Sequence, residues 1–199
     1  MTPAEFQQLL AQKSAEDIVS EKILSNGSFA LTDDLLDEMH RDLCAAFNLG
    51  LDKVKIYVVG SGKLGFSIAE KFDKKNRILL PRYRSFSAES DIDIAVVSQT
   101  LYYLIWRELA AHAHDDDYYM RNSEQGAYML WGWLRPDFFP KSAKLTFCER
   151  WWHQFYSYSA DTRFGRRDIR GGLYYTKWFL EAYQQRAVRA CQLDEELKR

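Results

Sequence analysis

A chain of 199 residues with 27 Lys plus Arg against 28 Asp plus Glu can bury a proper core, and its charges raise no global field that would advertise a nucleic-acid or membrane partner. Three widely spaced cysteines, Cys44, Cys148 and Cys191, fit neither a zinc site nor a disulfide framework, which points to a reducing, cytoplasmic setting. No apolar run spans a bilayer and "MTPAEFQQLLAQK" lacks the pattern of a signal peptide, so no membrane is expected.

The first helix starts at "TPAEFQQLLAQK", with Thr2 as cap, Pro3 in the first turn and Glu5 completing a capping box. Thr32 caps a second helix from Asp33 to about Asn48, with Gly50 placed to stop it. "DKVKIYVVG" reads as a strand buried at its end. A basic stretch follows from Lys71 to Ser90, in which "DKKNR" and "PRYRSFS" read as irregular, and "SDIDIAVV" is a second buried strand. From Leu101 the period turns helical through "LYYLIWRELAAHA", "SEQGAYMLWGWLR" and "AKLTFCERWWHQFYSY", punctuated by Pro136 and Pro140. The aromatic residues here, among them Trp131, Trp133, Trp151, Tyr156 and Trp178, recur at helical spacing, and most are expected in the core. "TRFGRRDIRGGLYY" allows a short strand closed by Gly171-Gly172, and "TKWFLEAYQQRAVRACQ" is a closing helix capped by Thr176. The expectation is an α/β fold in one domain over residues 1–199. It divides into N-terminal helices to 48, a core over 49–100, a helical region over 101–160 and a closing strand and helix over 161–199.

Two stretches carry the chemistry. In "YVVGSGKLGFS" a strand ends in a glycine turn, and "GSGK" invites comparison with a P-loop. That motif needs Gly five residues before Gly-Lys and a hydroxyl residue after the lysine. Here Tyr57 and Leu64 stand at those positions, so the P-loop fails at both ends. In "SDIDIAVV", strand alternation puts Asp91 and Asp93 on one face and Ile92, Ile94 and Val96 on the other. Two carboxylates crowded together repel unless a cation sits between them, and magnesium suits an all-oxygen pair.

A strand ending in Gly-Ser followed by a strand opening with Asp-x-Asp resembles the nucleotidyltransferase superfamily typified by DNA polymerase beta, over about Leu49 to Val97. "GSGKLGFS…SDIDIAVV" is similar to bacterial members found in defence or toxin-type operons. The resemblance implies a small mixed sheet flanked by helices, with Gly60 and Ser61 gripping a nucleoside triphosphate and Lys63 adjoining the grip. It further implies that Asp91 and Asp93 hold two magnesium ions while an acceptor hydroxyl on protein, RNA or a small molecule displaces pyrophosphate. An operon-encoded protein partner fits the same setting.

Two departures stand out. The spacer from Gly62 to Ser90 is long and carries Lys71, Lys74, Lys75, Arg77, Arg82 and Arg84, candidates for phosphate or RNA contacts. The family also adds a third carboxylate from a third strand. Asp168 in "RRDIRGG", in the right chain order and followed by a helix, is the best candidate, and Glu149 and Asp137 are poorer ones. Without it the chain would be a catalytically silent nucleotide-binding module. A toxin or antitoxin component acting through its aromatic half is the other alternative. "HAHDDDYY" looks like metal-ligand spacing but reads as a helix end and a solvated acidic loop.

Overall fold

The computed structural model describes residues 1–73, 76–115, 122–141 and 144–197. Helix α1 spans Pro3–Gln12, and the expected capping box is formed: the Thr2 hydroxyl accepts from the Glu5 amide while the Glu5 carboxylate accepts from the Thr2 amide. Helix α2, Ala15–Ile18, runs on as a π turn over Val19–Ile23, a segment the sequence pattern did not suggest. Helix α3, Asp33–Phe47, is capped by Thr32 and stopped by Asn48 rather than Gly50. Asn48 takes the left-handed conformation (φ 53°), which its short polar side chain tolerates.

Strand β1, Lys55–Val59, turns into the short helix α4, Gly60–Leu64. Two short strands border the irregular segments of the basic insert. Lys71–Asp73 (β2) and Ile78–Leu80 (β3) form an antiparallel hairpin with Phe72, Ile78 and Leu79 exposed. Arg82 ties the insert down by pairing with Asp194 at 2.7 Å and donating to the Ile68 carbonyl. Arg84 donates to the Ala69 and Pro81 carbonyls. Lys74 and Lys75 lie outside the described residues, as do Asp116 and Asp117 of the acidic run.

Strand β4 is Ile92–Val97, α5 is Gln99–Asp115 and α6 is Asn122–Met129. The helical reading of "WGWLR" fails. Gly132 turns the chain at φ 60°, and Trp133–Leu134 form β5, a two-residue strand. Helix α7, Thr146–Ala160, lacks a capping side chain of its own; the Glu108 carboxylate from α5 accepts from the Phe147 and Cys148 amides instead. Strand β6, Ile169–Tyr174, and helix α8, Lys177–Leu197, complete the chain.

The four strands form one mixed sheet in the order β1-β4-β6-β5, with β4 and β6 parallel and the other pairs antiparallel. Alternation sorts its two faces. Ile92, Ile94 and Val96 of β4 join Ile169 and Leu173 of β6 in a core with Met39, Leu43, Leu101, Ile105, Trp151 and Phe155 from α3, α5 and α7. The other face places Val59, Ala95 and Tyr174 against Phe6, Ile18, Leu180 and Val188 from α1, α2 and α8. The result is an α/β sandwich, and residues 101–160 supply part of it rather than standing apart.

Gly171 and Gly172 lie inside β6, not at its close. A Cβ on Gly171 would stand 2.2 Å from the Phe155 ring on one face, and one on Gly172 would stand 2.9 Å from the Trp133 indole nitrogen on the other. Two aromatic rings press on the strand from opposite sides, and only a residue without a side chain admits them. The aromatic residues divide against expectation. Trp151 is buried and Trp133 half-buried, but Trp131, Tyr156 and Trp178 remain exposed.

Candidate active site

At one end of the α1/α2/α8 face Asp168 and Arg170 reach solvent, and there the sheet register aligns the chemistry. Val59, the last residue of β1, sits opposite Asp93, and Asp93 sits opposite Arg170 of β6. Asp91 and Asp168 immediately precede the paired residues Ile92 and Ile169, and the Ile92 amide donates to the Asp168 carbonyl at 2.9 Å. Period two therefore turns Asp91, Asp93, Asp168 and Arg170 to the same side.

Gly60 closes the third side. It holds φ at +64°, and a Cβ there would lie 3.0 Å from the Asp93 Oδ2 atom. Both the backbone conformation and the approach of the carboxylate require glycine. Ser61 follows, partly exposed at the first turn of α4. Because α4 is only five residues long, its aligned peptide dipoles add little; the turn's own amides are what it offers an anion.

Lys63 does not join this group. Its side chain is buried and its ammonium donates to the carbonyls of Ser25, Asn26 and Gly27, which uses all three of its donors. The same loop is tied to α4 by the Phe29 and Ala30 amides, which donate to the Lys63 and Gly62 carbonyls. Burial pulls the Lys63 pKa down, and the charge of Asp33 partly restores it. The lysine beside the glycine turn is thus a clamp for the 25–27 loop. Lys63→Met is expected to cost about 2 kcal/mol of stability, the scale for hydrogen bonds to a charged donor. Affinity for inorganic tripolyphosphate should change less than twofold. Unchanged melting with lost tripolyphosphate binding, read by calorimetry, would return Lys63 to the anion site.

The electrostatics centre on Asp93. Burial raises its pKa from 3.8 to about 6, the Asp91 charge adds to the effect, and the nearby charges of Arg170 and Lys71 oppose it. Lys71, at the start of the hairpin, is a described insert lysine whose charge Asp93 feels. Arg170 plays a larger part. Its guanidinium pairs with Asp91 at 2.7 Å and with Asp168 at 2.6 Å, and its own side chain is 57% exposed. Asp168 is half open to solvent at 53%. The sequence places no basic residue beside Asp91 and Asp93, but the sheet brings one. The signal was present in "RRDIRGG": if Asp168 faces the site, alternation puts Arg170 there too.

The donor set of Asp91, Asp93 and Asp168 is all carboxylate oxygen, which fits a hard divalent cation. As the side chains stand, Arg170 holds the cation position between Asp91 and Asp168. Among the described residues no group of three or more His, Cys, Asp or Glu side chains is gathered as a metal site. His112 and His114 lie in the last turn of α5, a helix whose Leu101, Ile105 and Leu109 pack on the opposite face of the sheet. Asp137 pairs with Arg135 at 2.6 Å, and Glu149 lies in the first turn of α7. Neither competes with Asp168. No helix among the described residues is long and apolar enough to cross a membrane. Comparison with protein-family models, with curated proteins and with solved structures found no match for this chain.

Proposed function

We propose that the chain is a metal-dependent nucleotidyltransferase of the polymerase beta-like kind, which moves a nucleoside monophosphate from a triphosphate to an acceptor hydroxyl. One observation carries the reading. Three aspartates at the starts of two neighbouring strands face the same side of one sheet end, with a glycine turn against Asp93.

In this reading Ser61 and the amides of the Gly60 turn hold the β and γ phosphates, and Lys71 adds charge from the hairpin. Asp91 and Asp93 would hold magnesium, two ions in this reading, and Asp168 would add a carboxylate for the acceptor side. Magnesium, when bound, neutralises phosphate charge and makes the acceptor hydroxyl more acidic. The chain itself supplies placement: the glycine turn fixes the triphosphate beside Asp93, and β6 fixes Asp168 beside Asp91. The acceptor oxygen forms its bond to the α phosphorus as the α–β bridging bond breaks, and pyrophosphate leaves. A setting in bacterial defence or a toxin–antitoxin pair, with a protein partner, belongs to the same proposal.

A second reading has its own observation. Arg170 already neutralises Asp91 and Asp168, as a permanent counter-charge would in a silent nucleotide-binding module. Pyrophosphate release separates the two. Each of the common nucleoside triphosphates is supplied with magnesium and with RNA, protein and small hydroxyl compounds as acceptors. The enzyme reading expects release with at least one combination. It also expects Asp168→Asn to stop release while triphosphate affinity stays within about threefold, since the change removes one acceptor-side ligand only. Tight triphosphate binding with no release under any combination favours the silent module.

A further inference from the structure

The sheet register sets the Gly60 turn, Asp93 and Arg170 at one level on adjacent strands. At about 4.8 Å per strand the turn and the Arg170 backbone are roughly 10 Å apart. A triphosphate lying on the turn and passing over Asp93 comes within reach of an extended arginine side chain. Arg170 is well suited to move. Its side chain is 57% exposed, with Asp168 at 53% and Asp91 at 26%, and ion pairs open to solvent are individually weak. The planar fork binds carboxylate and phosphate oxygens in the same bidentate manner.

We propose that Arg170 is a positioning residue that changes partners: it bridges Asp91 and Asp168 in the nucleotide-free protein and moves onto phosphate oxygens when a triphosphate binds, freeing both carboxylates for a divalent cation. The inference rests on the nucleotidyltransferase reading and gives it an order of events. A cation and the guanidinium compete for the same carboxylates, so the cation binds poorly until the triphosphate draws Arg170 away. By linkage, triphosphate and cation each strengthen the other's binding. The arrangement also explains how three carboxylates stay close together without a metal.

The test uses the full chain and two separate probes, manganese(II) alone and inorganic tripolyphosphate in the presence of EDTA, both followed by calorimetry. Arg170→Gln is expected to bind manganese about fivefold more tightly than the unaltered protein, the scale set by one exposed and one partly buried ion pair. The same variant should bind tripolyphosphate about tenfold more weakly, the scale of a lost charge-assisted contact. Arg170→Lys keeps the charge but not the fork, and should fall between the two proteins for both probes. Matching melting temperatures confirm that the variants are folded. Manganese affinity that is unchanged or weaker in Arg170→Gln overturns the inference, as does unchanged tripolyphosphate affinity. If the unaltered protein binds both probes and only this separation fails, the inference alone falls. If it binds neither, the nucleotidyltransferase reading falls as well.

Discussion

Asp93→Asn is expected to slow nucleotide transfer by at least about 10²–10³-fold, the scale for losing one electrostatic contact to a transition state, and to raise the melting temperature above pH 6. Both effects come from one carboxylate. Asp93 sits half-buried between the Gly60 turn and Arg170, close to a second negative charge on Asp91, so its folded-state pKa rises from 3.8 to about 6. Between those values the folded protein binds more protons than the unfolded chain. The slope of unfolding free energy against pH is therefore negative there. The destabilisation is absent below about pH 4, grows as the carboxyl ionises and is complete above about pH 6. After allowance for solvent screening it amounts to about 1–2 kcal/mol. For a chain of this size that is a melting shift of about 3–6 °C. Melting curves of the two proteins at intervals from pH 4 to 8 check this. The gap should open between pH 4 and 6 and stay level above. A constant gap, or a variant less stable at pH 8, would show that Asp93 is not strained by its neighbours. With tripolyphosphate present, magnesium should stabilise the unaltered protein above pH 6 and leave Asp93→Asn largely unmoved, because the cation and the amide relieve the same repulsion.

The second large effect lies behind the site. Gly171→Ala should cost about 3 kcal/mol, the upper end for forcing extra volume into a packed core, and lower the melting temperature by about 6–12 °C. The added methyl would meet the Phe155 ring at 2.2 Å, and β6 has no room to retreat because β4 pairs with it and Trp133 lies over its other face. Since β6 carries Asp168 and Arg170, transfer should fall with stability. Phe155→Leu shortens the opposing side chain and should restore part of the loss. In a double-mutant cycle the coupling energy should reach about 1–2 kcal/mol, within the range for residues in contact. Additive effects would mean that the strand, not the ring, absorbs the methyl.

How much of this was legible beforehand follows from the range of the interactions involved. The capping box at Thr2 and Glu5, the Thr32 cap, strand β4 and its alternation of Asp91 and Asp93 with isoleucines are set by contacts a few residues apart, and they stand in the structure as the sequence predicts. The α/β class followed from the same periodicities. The placement of Asp168 beside Asp91 could only be offered as a candidate, because it depends on β6 pairing in parallel with β4 across an intervening crossover of helices.

Other features were decided by tertiary contact alone. Lys63 adjoins the glycine turn in sequence, yet a long side chain goes where its charge is best satisfied, and three carbonyls of the 25–27 loop satisfy it. "WGWLR" has helical spacing, but pairing with β6 takes Trp133 and Leu134 into a strand. The Gly171-Gly172 pair looks like a strand end by composition; it is a strand interior because two rings from distant segments press on it. Arg170 is the clearest case. The sequence by itself determined that two aspartates share a face and repel. Which cation answers them depends on the neighbouring strand, and strand order is fixed by burial of the whole sheet rather than by any local pattern.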